Sequence, residues 1–533
     1  MTRVTKRTRI AAGLAAAASA TIAGVVASAQ LMGPSSSQTP YVLPVVPAVK
    51  TSSILTVGDS IGGYKLVGLP DGLGAFDNGN GTFTVLMNHE VGSTAGLTHA
   101  HGSKGSFVSK WVINKSTLSV ISGSDLMQRV FPWDTANQRS FATHSTFAFT
   151  RFCSGDLPEK SAFYNASTGL GTQERIYMHG EESGPTGYQQ ATIVTGRNAG
   201  DSFVLGKFNL ATNGSGLTGV GGWENALANP YPQDKTLVVA TNDGGTGIMN
   251  NSVAVYVGHK QTSGTEVDKA GLTNGALTFI NVAGNATEIS DSTTRTTNIA
   301  SGTRFTLNGT TSTTFSRPED GAWNPLNLKQ FYFVTTDRLD QVTEGIGTQI
   351  GRTRLWRLTF DDLGNPYLGG TIDLLIDGRV VDGQRVNMFD NIGVNAQSGQ
   401  IVLQEDPGGT AHNAKVWLYD PATDVLVLVA KHDVARFGDI GVAATAPYTN
   451  DEESSGAIDM GSILGLGYYL IVDQAHYPTT TELVEGGQML LARIPLVTNK
   501  DQCKKGGYSA YLRNDGTGFK NQGDCIQYAN TGK

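Results

Sequence analysis

The sequence is a succession of short apolar or alternating segments separated by glycine-rich turns, and long helical periodicity is scarce. Glycine accounts for 67 of the 533 residues, and Asn-Gly, Asp-Gly and Gly-Gly pairs lie between the segments, as β-hairpins require. Hydrophobic residues make up 39% of the chain, which is enough to build a sizeable core. The pattern predicts an all-β fold, with strands at Thr82–Met87, Phe107–Ile113, Arg175–His179, Thr236–Ala240, Ser252–Val257, Gln330–Thr335, Arg354–Thr359, Gln400–Gln404, Lys415–Tyr419 and Tyr468–Val472.

Many short strands with tight turns are typical of barrels, sandwiches and propellers. We favour a β-propeller over residues 54–500, because the chain is long and its polar motifs are widely spread. In a propeller each blade contributes loops to one central channel, so distant segments can meet there. No clean repeat period is visible in the sequence, so the residues alone do not set the number of blades.

The N-terminus has the features of a signal peptide over residues 1–29. Basic residues precede an apolar, alanine-rich stretch from Ile10 to Val26, and Ala27-Ser28-Ala29 is a small-residue cleavage site. The alternative, a membrane anchor, would need a longer apolar run. Residues 30–53 are predicted to form a flexible lead-in. We therefore expect a secreted protein, periplasmic or extracellular, without a membrane span.

The charge of the chain limits its partners. Loss of the predicted signal peptide would remove four basic residues and leave 35 basic and 46 acidic ones, a net charge of −11. A nucleic-acid partner would require a basic surface, so this charge argues against one. An acidic chain suits a protein that gathers carboxylates around hard cations.

The chain has three cysteines. Cys503 and Cys525 lie close together in sequence and are predicted to form a disulfide in an oxidising compartment, which would close a small C-terminal tail over residues 501–533. Cys153 is then left over. It is either an inert buried thiol or a functional one.

Acidic residues occur where apolar segments end, and strand ends are where scaffolds display functional groups. Glu90, the pair Glu181-Glu182 and Asp243 each follow such a segment. One by one they are typical of solvated turns, whereas several carboxylates around one centre would repel one another unless metal ions neutralised them. Ca²⁺ prefers oxygen ligands, so participation of Cys153 would indicate a softer transition metal such as iron.

A different pattern suggests serine esterase chemistry. Gly58-Asp59-Ser60-Ile61 resembles the nucleophile block of GDS-type esterases, and Asp473 and His476 have the Asp-x-x-His spacing of those enzymes. A Ser–His pair of this kind performs acyl transfer. Those esterases have an α/β fold, however, and this chain lacks both alternating helices and the expected Gly-x-Asn-Asp block.

Taken in order, the motifs resemble those of the PhoX-type alkaline phosphatases over roughly residues 52–500. The sequence departs from that family in the segment after Cys153, which lacks a Trp-Gly-Thr-Trp block, and at the N-terminus, which lacks a twin-arginine pair. The matching blocks are Leu55–Tyr64, Val67–Gly72, Asn88–Glu90, Cys153–Gly155, Glu181–Glu182, Arg317–Asp320, Met388–Ile392 and Gln404–Asp406.

The resemblance implies a six-bladed propeller that hydrolyses phosphate monoesters and binds Fe³⁺ and Ca²⁺. It implies that Cys153 is an iron ligand and that Arg317 contacts the phosphate, whose oxygens match the fork of a guanidinium group. The metal-binding carboxylates would be Glu181, Glu182, Glu224, Glu319, Asp390 and Asp406, with Glu90, Asp243 and Asp320 as additional candidates.

Two functions from different classes result. The first is a monomeric, secreted phosphatase that acts on small-molecule phosphate esters. The second is a non-catalytic, calcium-binding propeller at the cell surface. A purely structural calcium site needs neither Cys153 nor Arg317, so these two residues distinguish the alternatives.

Overall fold

A computed structural model describes residues 31–183, 187–337 and 352–533, and almost all regular structure in them is β. The predicted signal peptide, residues 1–29, lies outside the described residues. The first strands are β1 (Leu31–Met32), β2 (Val42–Pro44) and β3 (Lys50–Thr56), followed by a hairpin of β4 (Ser60–Ile61) and β5 (Tyr64–Lys65).

Six blades follow along the chain. Blade 1 contains β6 (Pro70–Asp77), β7 (Thr82–His89), β8 (Phe107–Asn114) and β9 (Val120–Asp125). Blade 2 contains β10 (Arg129–Phe131), β13 (Phe152–Asp156), β16 (Ile176–Glu181), β17 (Gln189–Ile193) and β18 (Asp201–Val204). Two small hairpins interrupt it in sequence, β11 (Trp133–Asp134) with β12 (Arg139–Ser140) and β14 (Tyr164–Asn165) with β15 (Leu170–Gly171). Blade 3 contains β19 (Trp223–Ala228), β20 (Lys235–Asn242), β21 (Val253–His259) and β22 (Ala276–Val282).

Blade 4 contains β23 (Thr303–Asn308), β24 (Pro318–Trp323), β25 (Gln330–Thr335), β26 (Arg354–Phe360) and β27 (Gly370–Asp377), and β23 pairs with β22 so that blades 3 and 4 share one nine-stranded sheet. A hairpin of β28 (Val380–Val381) and β29 (Gln384–Arg385) precedes blade 5. Blade 5 contains β30 (Phe389–Val394), β31 (Ile401–Glu405), β32 (Lys415–Asp420) and β33 (Val425–His432). Blade 6 contains β34 (Glu452–Asp459), β35 (Tyr468–Pro478) and β36 (Glu485–Arg493).

The innermost strands of the blades form a closed ring. Strands β6, β13, β19, β24, β30 and β34 pack against one another in this order, and β34 returns to β6. The fold is therefore a six-bladed β-propeller, as predicted. Strand β3 pairs antiparallel with β36, so blade 6 contains both ends of the propeller and closes the ring.

The prediction of a flexible lead-in over residues 30–53 is wrong. Strands β1 and β2 lie within this segment, and β3 begins in it. Val42 is fully buried because β2 adds a strand to blade 5, and Tyr41 is buried against Phe437 and Ala475. The segment is thus part of the propeller, despite a composition typical of loops.

All ten strands predicted from the sequence exist, and each is the second or third strand of its blade. Strands at these positions are covered by neighbouring blades on both faces, which explains their apolar sequences. Trp111, Trp356 and Trp417 lie on the third strands of blades 1, 4 and 5 and are fully buried. Each donates its indole N–H to a side-chain oxygen of its own blade, as buried tryptophans require.

The helices are short, and the C-terminal tail contains the longest of them. The predicted disulfide between Cys503 and Cys525 is confirmed. Leu512 of the tail is buried in the apolar core of blades 5 and 6. In the described ranges, no helix is long and apolar enough to cross a bilayer. The helices are α1 (Glu266–Lys269), α2 (Val434–Phe437), α3 (Gly461–Leu464) and α4 (Gln522–Thr531), with 3₁₀ turns at Lys160–Ala162, Gly206–Phe208, Gly247–Met249, Pro366–Leu368 and Gly507–Ala510.

Candidate metal centre

Each of the six innermost strands presents one chemically active side chain from the same position, the second residue of the strand. All six of these side chains line one cavity at the end of the central channel. Five carboxylates and one thiol from distant parts of the sequence therefore meet there. They belong to Asp71, Cys153, Glu224, Glu319, Asp390 and Glu453.

A β-bulge at or just after this position explains how the side chains are aimed. In five blades the register between the innermost strand and its neighbour shifts at this position, and in blade 6 it shifts after Ser455, two residues later. A bulge inserts an extra residue, bends the strand and re-aims a side chain. The shifts lie between Pro70 and Leu73, Phe152 and Gly155, Trp223 and Asn225, Pro318 and Gly321, Phe389 and Ile392, and Ser455 and Ala457.

A second set of acidic residues comes from the second strands. In four blades the residue directly after the second strand is acidic, namely Glu90, Glu182, Asp243 and Asp406. Three of these line the cavity, while Asp243 accepts a 2.8 Å hydrogen bond from Arg317. Glu90, Glu182 and Asp406 thus converge on one cavity, whereas Asp243 is connected to it only through Arg317.

The electrostatics of the cavity are dominated by negative charge. It has a volume of about 40 Å³ and is lined by eight carboxylates, one thiol and two guanidinium groups. Such a volume holds about three water molecules or single ions. Burial first, and neighbouring carboxylates second, raise the pKa of Asp71, Glu224 and Asp390 well above the usual range. Burial also raises the pKa of Glu182 to about 8 and that of Asp406 to about 7. Ionised together, these groups need cations.

The thiol of Cys153 belongs to two groups of three side chains that could each hold a metal ion. The ligand atoms of Asp71, Glu90 and Cys153 lie within 4.8 Å of one another, and so do those of Cys153, Glu182 and Glu224. Burial, then the charges of Glu90 and Glu182, raise the pKa of the thiol, so a thiolate requires a cation beside it. A thiol among carboxylates fits a transition metal such as iron, and the oxygen donors fit Ca²⁺.

The hydrogen bonds around the carboxylates leave at least one carboxylate oxygen free to coordinate a cation. Asp71 Oδ1 is buried and has no hydrogen-bond partner in the described part of the chain. Gln474, on the second strand of blade 6, donates its Nε2 to the carboxylates of Asp71, Glu90 and Glu453 at 3.2, 3.0 and 3.3 Å. One amide therefore orients three carboxylates, as the outer partners of metal ligands do.

Arg317, the predicted phosphate-binding residue, lines the same cavity. Its Nε donates to Asp243 Oδ2 at 2.8 Å, and its Nη2 lies 3.0 Å from Glu319 Oε1. Its φ of 49° is in the left-handed region, which costs a non-glycine residue about 1–2 kcal/mol. Cys153 is far in sequence from Arg317 and Glu319, yet all three residues line a single cavity.

Glu181, predicted as a metal ligand, does not reach the cavity. Its two carboxylate oxygens accept backbone N–H groups of Thr150 at 2.9 Å and Tyr188 at 3.0 Å. Successive residues of a strand point to opposite sides, so Glu182 faces the cavity and Glu181 faces away from it. The assignment of Glu181 is corrected on this ground.

Asp320 also lies outside the cavity, because it follows Glu319 and points further along the channel. Its Oδ1 accepts from Asn225 Nδ2 at 2.6 Å and from the N–H of Gly321 at 2.7 Å. It lines a separate space of about 240 Å³ beyond the carboxylate ring. Asp320 therefore supports the innermost strands and is not positioned with the other predicted ligands.

Sequence reasoning missed three residues of the cavity, Asp71, Arg151 and Glu453. A signal for two of them exists, because the second residue of each innermost strand is an acid or cysteine and the third is small or polar. Examples are Pro70-Asp71-Gly72, Phe152-Cys153-Ser154 and Phe389-Asp390-Asn391. Consecutive acid or cysteine positions in the six strands are 63 to 95 residues apart, and this irregular spacing hides the repeat.

The structure does not assemble the predicted esterase residues. Ser60 is exposed in the β4–β5 hairpin, and no hydrogen bond joins it to His476 among the described residues. His476 Nδ1 instead contacts Glu485 at 2.7 Å, and Asp473 pairs with His432. A nucleophile activated by an adjacent base is thus not formed.

Fold and site together define a six-bladed propeller with a buried centre of carboxylates and one thiol. A scan against family models and a search of curated proteins find no match. Among solved structures, the PQQ domain of pyranose dehydrogenase from Coprinopsis cinerea is similar at 8% identity, covering 87% of this chain and all of that one, with a TM-score of 0.37. The β-propeller domain of the Trilobed protease from Pyrococcus furiosus is 8% identical, covering 79% of this chain and 94% of that one, with a TM-score of 0.27. Similarity at this level supports no inference about function. The fold assignment rests on the strand order and the closure of the ring.

The raised pKa values predict how the stability of metal-free protein depends on pH. An acid whose pKa is higher in the folded than in the unfolded protein binds its proton more tightly when folded, so stability is lost as the pH rises. For Glu182 and Asp406 this window runs from about 4 to about 8. Each such group changes the free energy of unfolding by about 1.4 kcal/mol per pH unit.

We expect chelator-treated protein to have a lower free energy of unfolding at pH 8.5 than at pH 5.5 in urea denaturation. Saturation with iron and calcium should reduce this difference, because cations replace the protons. A free energy of unfolding that increases with pH in the chelated protein would contradict this assignment of the buried carboxylates.

Substitution of the thiol tests the transition-metal position. We expect Cys153→Ser to lose bound iron and to keep its fold, because a serine hydroxyl does not supply a thiolate ligand. Elemental analysis and circular dichroism measure the two effects. Asp156→Asn is the matched control, since Asp156 is partly buried on the same strand but does not line the cavity. Iron content equal to that of the unchanged protein would exclude Cys153 as a ligand.

Proposed function

We propose that this protein is a secreted phosphatase that hydrolyses phosphate monoesters at a centre containing Fe³⁺ and Ca²⁺, similar to the PhoX-type alkaline phosphatases. The observation that carries the proposal is the convergence of Cys153, Glu319 and Arg317 with seven further carboxylates on one cavity. The order of the motifs along the sequence supports the same conclusion.

The donor set indicates which residues would hold the metals. Cys153 and its neighbouring carboxylates would hold iron, because the sulfur is a soft ligand. Carboxylates without sulfur, among them Asp390, Asp406 and Glu453, would hold Ca²⁺. Bound cations of this kind polarise a phosphoryl group and lower the pKa of a bound water molecule. The protein contributes donors that the closed ring of strands holds in place before a substrate binds.

Arg317 would bind the phosphoryl oxygens of the substrate. Its side chain is 19% exposed, and its ion pairs with Asp243 and Glu319 hold the guanidinium at the cavity. A guanidinium group donates two parallel hydrogen bonds to phosphoryl oxygens and stabilises the negative charge of the transition state. Desolvation within the cavity strengthens this interaction.

His476 adds a further positive charge beside the cavity. Burial opposes protonation of the imidazole, but the carboxylates of Glu453 and Glu485 outweigh burial and raise the pKa of His476 to about 11. Its Nε2 lies 3.8 Å from Glu453 Oε2. The imidazolium therefore offsets part of the negative charge of Glu453, which lines the cavity.

Two features support a location outside the cytoplasm. A disulfide closes the C-terminal tail, and disulfides persist in oxidising compartments. The sequence of residues 1–29 has the features of a signal peptide. The alternative of a non-catalytic, calcium-binding propeller at the cell surface leaves both Cys153 and Arg317 without a function.

The proposal predicts turnover. We expect protein loaded with iron and calcium to hydrolyse 4-nitrophenyl phosphate at alkaline pH, and we expect a chelator to abolish the activity. Release of 4-nitrophenol measures the rate, and elemental analysis of the same sample measures metal occupancy. Absence of turnover in fully metal-loaded protein would contradict the proposed function.

Substitution of Arg317 tests its role in the transition state. We expect Arg317→Ala to reduce kcat about 10²-fold, because removal of one charge-stabilising donor has an effect of this order. Metal content should be unchanged. Arg357→Ala is the control, since Arg357 is also partly buried and paired with an aspartate, Asp373, but lies outside the cavity. A rate for Arg317→Ala equal to that of Arg357→Ala would eliminate the proposed role.

A further inference from the structure

Arg151 is a second guanidinium at the cavity, and it is placed by the same backbone geometry as Arg317. Each arginine directly precedes the first residue of an innermost strand, in blade 2 and blade 4 respectively. Arg151 has a φ of 51° and Arg317 one of 49°. The left-handed conformation costs about 1–2 kcal/mol for each residue. Leu69 and Met388, which precede the innermost strands of blades 1 and 5, have φ values of 54° and 45°, so this conformation is a shared feature of the entry to these strands and places the two arginines at equivalent positions.

The two arginines differ in depth. The side chain of Arg317 is 19% exposed, whereas that of Arg151 is 50% exposed. Both line the same cavity. Arg317 is therefore at the level of the buried carboxylates, and Arg151 is at the rim, where a bound ester would have its leaving group.

The contacts of Arg151 leave some N–H groups of its guanidinium unpaired with protein atoms in the described ranges. Its Nη2 lies 2.8 Å from Glu90 Oε1, and its Nε donates to Glu182 Oε2 at 3.1 Å. Its Nη1 makes no hydrogen bond to any residue in the described ranges. Cations bound to Glu90 and Glu182 would neutralise the two carboxylates and weaken their ion pairs with Arg151. The guanidinium could then bind another oxyanion.

We propose that Arg151 forms an anion subsite at the rim, which binds a second oxyanion on the leaving group of a phosphate ester. This inference rests on the proposed function, because it assumes that a phosphoryl group occupies the deeper position beside Arg317. A substrate with a carboxylate or second phosphate near the ester would then be held by one guanidinium at each anionic end. The preferred substrates are accordingly small, doubly anionic phosphate esters.

Binding of phosphonates tests the subsite without requiring turnover. The probes are methylphosphonate, which has one anionic group, and phosphonoacetate and 3-phosphonopropionate, which add a carboxylate at two distances. We expect metal-loaded protein to bind the better of the two carboxylate probes at least tenfold more tightly than methylphosphonate in calorimetry. In Arg151→Ala this preference should fall about tenfold, whereas affinity for methylphosphonate should change little.

Two further variants separate the subsite from a purely structural role. Arg151→Lys keeps the charge but loses the fork, so its preference should lie between those of the unchanged protein and Arg151→Ala. Arg304→Ala is the matched control, because Arg304 is 49% exposed and paired with Asp361 outside the cavity. Elemental analysis of every variant verifies equal metal loading.

The outcomes are distinguishable from failure of the proposed function. An unchanged preference in Arg151→Ala overturns the subsite, and so does an equal loss of affinity for all three phosphonates, which would place Arg151 on the phosphoryl group. The subsite is also overturned if the metal-loaded protein binds none of the probes. Failure of the proposed function would instead be seen as the absence of 4-nitrophenyl phosphate turnover, which this binding experiment does not use.

Discussion

Mutual repulsion among the eight carboxylates of the cavity, five of them buried and three partly buried, is the constraint on which the rest of this structure depends. Two unit charges about 4 Å apart interact by about 4 kcal/mol at the effective dielectric constant of a protein surface. The three ligand atoms of each candidate group lie within 4.8 Å of one another. A few such pairs already equal the total stability of a typical domain, about 5–15 kcal/mol. The ring must therefore be protonated or neutralised by cations.

The propeller supplies the rigidity that such a ring needs. Each blade places its second innermost residue at one level of the channel, and a bulge beside it turns the side chain toward the axis. Closure of the ring by β3 and β36 prevents the blades from separating under repulsion. The carboxylates are thus held in place by packing far from the channel, including the buried tryptophans of the third strands.

Positive charge is distributed around the ring in a way that matches the approximate symmetry of the blades. Arg151 and Arg317 occupy the same position in blades 2 and 4, and His476 lies near the end of a second strand, where other blades have an acid. Two guanidinium groups against eight carboxylates leave the cavity strongly negative. The arrangement is therefore better suited to hold several cations and to orient an anion than to balance the charge internally.

The sequence by itself determined the all-β composition, the ten strands buried on both faces, the disulfide of Cys503 with Cys525, and the chemistry of the donors. Apolar segments between glycine-rich turns are local signals, so the strands they form can be predicted without knowledge of the fold. The innermost strands were not predicted, because a segment such as Phe389–Val394 carries polar residues toward the channel. Only the tertiary structure decided which donors share a cavity. Packing of consecutive innermost strands brings together positions 63 to 95 residues apart. The bulges and the alternation of side chains, which select Glu182 over Glu181, exist only once the strands have paired.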